Sequence, residues 1–134
     1  MKRLLGLGVV AGVTLVGLSC GGDGPTQVGG PGVLKVRLTS PPANADSAIV
    51  FTIVGPAPLT SATPGTGLRL FQQALGGTTT RFALTGSLVN GATILTIGVP
   101  DVGAFSQYNG SINGVAQANY QLRGLIAYAL AVTR

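Results

Sequence analysis

Between residues 33 and 39 the order Val-Leu-Lys-Val-Arg-Leu-Thr places Leu34, Val36 and Leu38 on one side and Lys35 and Arg37 on the other. A period of two belongs to a strand with one buried face, because successive side chains of extended backbone point in opposite directions. The pattern recurs along the chain. Residues 48–54, Ala-Ile-Val-Phe-Thr-Ile-Val, are apolar on both faces and rich in β-branched side chains, which predicts a central strand. Residues 68–72 alternate again, with Arg69 and Phe71 opposite Leu68 and Leu70. Gly76-Gly77 marks a turn into 79–85, where Phe82 and Leu84 point inward.

Asn90-Gly91 between apolar runs is a strong local hairpin signal, since both residues tolerate positive φ. It leads into a strand over 92–99. Two more are expected at 107–116, with Tyr108 and Ile112 on one face, and at 127–133, with Tyr128, Leu130 and Val132 inward. The segment 55–67 holds Pro56, Pro58 and Pro64, which bars a helix and makes strand pairing marginal. A single short helical turn over 119–126 is the only rival to strand, and Gly124 weakens it. About seven strands at intervals of roughly 8 to 15 residues, with no crossover helix, predict an all-β antiparallel sandwich.

Residues 1–20 are of another kind. Met1-Lys2-Arg3 precedes an uncharged apolar run from Leu4 to Leu18, and Ser19-Cys20-Gly21 ends it. As a helix that run would reach about 22 Å, short of a hydrocarbon core of roughly 30 Å, so it reads as a signal and not a span. Cys20 is the one cysteine in the chain, which leaves no second thiol to bridge. The stretch Val16-Gly17-Leu18-Ser19-Cys20 resembles the lipobox of bacterial lipoproteins, with Gly17 where the commonest pattern has Leu. That resemblance implies removal of residues 1–19, lipid on Cys20, and residence in the cell envelope. Gly21 in place of Asp implies the outer membrane, facing periplasm or surface. Residues 20–32 then form the lipidated cysteine and a Gly/Pro-rich tether, in which 21–32 hold only Val28 as a sizeable apolar side chain and span about 17 to 21 Å as a flexible coil. Residues 33–134 are left as one β-sandwich domain after the signal helix and tether.

The chemistry missing from the chain narrows its function. There is no His and no Glu, and the acids are Asp23, Asp46 and Asp101. A Ser-His-Asp set has no base, a His-dependent metal site has no ligands, and a paired-carboxylate hydrolase would need Asp46 and Asp101 to meet. Asp46 and Asp101 read more simply as turn residues that hydrogen-bond their own backbone. Calcium held by Asp46 and Asn44 would be poorly charged, and no metal or cofactor is expected. The formal net charge of +5 includes Lys2 and Arg3, and no Lys/Arg cluster tracks a phosphate backbone, so nucleic acid is excluded as a partner.

Segments 46–52, 97–102 and 120–130 together resemble the small sandwich domains related to cohesins and some carbohydrate-binding modules of bacterial lipoproteins. The resemblance implies an immunoglobulin-like or cohesin-like fold, and carries over no calcium loop or aromatic platform. With no Trp in the chain, the candidates for a binding surface are Arg69, Phe71, Tyr120 and Arg123. The expectation is a noncatalytic, membrane-anchored envelope lipoprotein binding a protein or polymer or serving structurally. A carbohydrate-binding accessory domain is the alternative, and a small hydrolase a distant third.

Overall fold

Strand β1 (Gly32–Thr39) buries Leu34, Val36 and Leu38 completely and leaves Val33, Lys35 and Arg37 outside, as its alternation requires. The structure is a computed structural model that describes residues 29–43 and 45–134. Seven further strands follow: β2 (Asp46–Val54), β3 (Ser61–Pro64), β4 (Arg69–Gly76), β5 (Thr79–Leu88), β6 (Thr93–Val99), β7 (Asn109–Gln117) and β8 (Ala129–Thr133). A 3₁₀ segment (Val102–Gln107) with Tyr108 as its C-cap precedes β7, so the strand expected from 107 begins at Asn109. The rival helical turn over 119–126 does not form; the chain crosses that stretch in turns and one isolated bridge.

All pairings are antiparallel, in two four-stranded sheets of order β8-β1-β6-β3 and β4-β5-β2-β7. The fold is therefore an all-β sandwich, with eight strands among the described residues where about seven were expected. Its core is the meeting of the two inner faces. Leu34, Val36, Leu38, Leu95 and Ile97 come from the first sheet, and Ile49, Phe51, Ile53, Phe82 and Leu84 from the second. The rings of Phe51 and Phe82 lie 5.5 Å apart in a tilted pair. Each such side chain contributes about 1.5–3 kcal/mol relative to exposure, so the alternation is the main source of the fold's stability.

Strand β3 was hidden by Pro64 within it and by Pro56 and Pro58 before it. It occupies a sheet edge, where Pro64 ends the strand and loses no partner, while Thr60 N and Gly65 N bond to Gly98 O and Ile94 O. Gly98 lets that edge approach, because a Cβ there would stand 2.3 Å from Ser61 Oγ.

Asn90-Gly91 makes a turn but not a hairpin. Gly91 has φ +81 and Ala92 N bonds Val89 O, yet β5 and β6 lie in different sheets. The turn is a corner between the layers, fixed to β1 and the residue after it by Gly91 N to Leu38 O, Arg37 Nη2 to Gly91 O and Ser40 N to Asn90 Oδ1. Turn propensity is local, whereas sheet membership is decided by where the apolar faces are buried. The true hairpin is at Gly76-Gly77, joining β4 to β5.

The registers define two poles. At one, Gly32 faces Val99, Val54 faces Asn109, and Gly30 N donates to Asp101 Oδ1, so residues 29–31 join the domain here. At the other, Asp46 faces Leu88 and Gln117, and Thr39 faces Ala129. The eight steps of β2 between them measure roughly 26 Å at about 3.3 Å each.

Candidate functional site

The carboxylates settle first. Asp101 caps the 3₁₀ segment, accepting from Gly103 N at 2.9 Å and Gly30 N at 3.1 Å, which is the turn role expected of it. Asp46 is not a surface turn. It is 4% exposed, and its two oxygens accept from Arg123 Nε at 2.7 Å and Tyr128 Oη at 2.6 Å. Asp46 and Asp101 stand at opposite poles, far beyond the roughly 5–9.5 Å that paired-carboxylate hydrolysis needs. The hydrolase reading loses its pair. The calcium reading also loses ground, since both Asp46 oxygens are engaged; Asn44 lies outside the described residues. Among the described residues no three His, Cys, Asp or Glu side chains cluster.

Arg123 is corrected by the same geometry. It leaves the free binding surface, since its guanidinium is committed to Asp46 and ties the β7–β8 connection to the start of β2. Tyr108 and Tyr128 are buried, as their positions implied. Burial, and secondarily the charge of Asp101, push the Tyr108 hydroxyl above its ordinary pKa. That hydroxyl has no hydrogen-bond partner among the described residues.

Two surfaces remain. The far pole carries exposed apolar side chains on connections that the backbone holds firmly. Tyr120 is 90% exposed at φ +67, in a turn fixed by Tyr120 N to Gln117 O, Gln117 N to Gln121 O and Gln121 N to Asn119 Oδ1. Leu122 pairs with Ala116 and is 78% exposed, while Ile126 and Val89 also stand in solvent. Sequence reasoning named Tyr120 but did not single out Leu122 and Ile126, which show no alternating pattern to mark them as outward.

The second surface is the outer face of the β4-β5-β2-β7 sheet. Cross-strand registers lay it out in rows: Phe71, Ala83, Val50 and Gly114 in one, flanked by Gln73, Arg81, Thr52 and Ser111 on one side and Arg69, Thr85, Ala48 and Ala116 on the other. Phe71 is 54% exposed, with the Arg69 guanidinium 5.9 Å from its ring centre. Small Ala83 beside Phe71 leaves a hollow of about 180 Å³ lined by Phe71, Gln73, Arg81, Ala83 and Val50. Arg81 and Gln73 were not singled out by sequence, although Arg81 lies opposite in phase to inward Phe82. A further cleft of about 180 Å³ opens between the β3 and β4 edges, lined by Ser61, Ala62, Gln72, Ala74 and Thr80. Arg69 and Phe71 are thus brought together, and Tyr120 is placed apart from them.

Cys20, the signal segment and the tether through Val28 lie outside the described residues. No helix among the described residues is long and apolar enough to cross a membrane. No family model, curated protein or solved structure matches this chain. Function has to be argued from the surfaces themselves.

Proposed function

We propose that this chain is a noncatalytic binding module of the cell envelope, held to a membrane through lipid on Cys20 and offering its far pole to a protein partner. The observation that supports it is the polarity of the domain. Residues 29–31 join at the pole of Asp101, while Tyr120, Leu122, Ile126 and Val89 project at the opposite one. A tethered domain of this shape can turn its apolar pole away from the lipid surface that holds it. Clustered exposed apolar side chains mark interaction sites, and a non-glycine residue at positive φ that is kept in place by neighbouring hydrogen bonds is strain of the kind found at ligand-binding sites.

Anchoring and binding are tested separately. Metabolic palmitate labelling is expected in the wild type and absent in Cys20→Ser; equal labelling would remove the anchor. A photo-cross-linking side chain at position 120 or 126 is expected to trap one discrete envelope protein, and the same group at Lys35 is not. Identical products from all three positions would remove the far pole.

A second reading, carbohydrate binding by the same domain, is favoured by a separate observation, the hollow beside Phe71 on the outer sheet face.

A further inference from the structure

We infer that the hollow beside Phe71 is a binding site for an acidic, uronate-bearing polysaccharide. This deepens the carbohydrate reading and depends neither on the lipid nor on the far pole.

The floor comes first. Ala83 and Val50 pave the row beside Phe71, and Gly114 continues it with nothing above its Cα. A sugar ring presents a flat face of C–H groups that needs such a floor and an aromatic wall, whereas a bulky residue at 83 would close the hollow. Phe71 is that wall. Arg69 lies one row away on one side of it, and Gln73 with Arg81 on the other.

Hydroxyl recognition comes from the neighbouring row. Gln73 offers an amide, and Thr52 Oγ1 donates to Asn113 Oδ1 at 2.8 Å, which orients that amide and leaves its Nδ2 to donate outward. Charge then selects among sugars. Arg69 and Arg81 are exposed on this face, and neither has an ion-pair partner among the described residues. The described carboxylates are committed elsewhere, Asp46 to Arg123 inside the fold and Asp101 to the 3₁₀ cap that follows β6 of the other sheet. The face is therefore cationic with nothing of opposite sign to neutralise it. Arginine suits carboxylate because its planar fork meets two oxygens at once. A neutral glycan would leave both guanidinium groups without a matching charge. An acidic peptide would supply the charge but not the flat apolar ring faces that fit the Phe71–Ala83–Val50 row.

The test is surface plasmon resonance of the full chain in mild detergent over immobilised polygalacturonate, dextran and poly-L-glutamate. Saturable binding to polygalacturonate is expected, with dextran and poly-L-glutamate each at least about tenfold weaker. Phe71→Ala and Arg81→Gln should each weaken polygalacturonate binding at least about tenfold. Both side chains are exposed, so melting temperatures should match the wild type and a binding loss cannot be attributed to unfolding. Lys35→Gln, on the outer face of the other sheet, should change binding less than twofold. Equal binding to dextran, equal or tighter binding to poly-L-glutamate, an unaffected Phe71→Ala, or an equal loss in Lys35→Gln would each overturn the site. Because the readout uses neither lipid nor cross-linking, its failure would leave the anchor and the far pole standing.

Discussion

Tyr108 lies beneath Gly55, where an added Cβ would come within 2.2 Å of its ring, and its hydroxyl is buried without a partner among the described residues. A desolvated, unpaired hydroxyl costs about 1–3 kcal/mol, so Tyr108→Phe should raise stability by about 1 kcal/mol, read from urea midpoints at pH 7. A lower midpoint would mean the hydroxyl is bonded. The same residue gives a pH signature. Its pKa is raised above the ordinary 10.0, first by burial and then by Asp101, so above that pH the unfolded chain loses the proton while the folded chain keeps it. Stability should fall as pH rises through 10 toward the folded-state value, and Tyr108→Phe should remove that part of the fall. At Tyr120 the backbone, not the ring, is strained. Tyr120→Gly should stabilise the domain by about 1 kcal/mol while abolishing cross-linking from position 126, a separation of stability from binding that a merely structural tyrosine would not give. The inward places of Tyr108 and Tyr128 were legible from strand period alone. The role of Asp46 was not, because its partner Arg123 lies 77 residues further along the chain and nothing local announces it.

At the scale of elements, that pair joins pieces that sheet bonding alone leaves loose. Arg123 N bonds Val115 O, its Nε reaches Asp46 at the start of β2, and Tyr128 just before β8 donates to the other carboxylate oxygen. Replacing Arg123 by Met strands a buried carboxylate and should cost roughly 3 kcal/mol, toward the low end for a broken buried pair because Arg123 keeps some contact with water. The double change Asp46→Asn with Arg123→Met should cost less than the sum of the two single changes, since the stranded charge is gone; strict additivity in urea melts would deny the coupling. Strand period and composition made β1, β2, β4 and β5 legible to within a few residues. They failed at β3, whose single proline, Pro64, is tolerated only because the strand is an edge, and at Asn90-Gly91, where a good hairpin turn is used as a corner. In both places the deciding fact was which sheet the strand joins, and that is set by burial across the whole layer. Arg69 and Phe71 were readable as outward partners on one strand, whereas Arg81 entered the site through its register with Gln73.

Seen whole, the molecule is two layers neither of which can bury its apolar face alone. Strand β1 faces β6 on one side and β8 on the other, so the first sheet is incomplete until the last strand arrives. The second sheet likewise needs β7 against β2. Leu130 of β8 packs over Gly110 of β7, which closes one side of the sandwich across the layers, while the opposite side stays open at the cleft between β3 and β4. Such pairing requires distant segments to meet before any contact rewards them, and β-sandwich domains accordingly fold in milliseconds to seconds. Residues 29–134 contain every described strand and the entire described core, so this fragment should unfold in one transition, with tyrosine fluorescence and far-ultraviolet circular dichroism tracing the same urea curve. Stopped-flow refolding should be single-exponential on that millisecond-to-second scale. Two separated transitions would show that one sheet holds together without the other. That outcome would contradict the shared core, because Phe82 and Phe51 of one layer owe their burial to Leu34, Leu95 and Ile97 of the other.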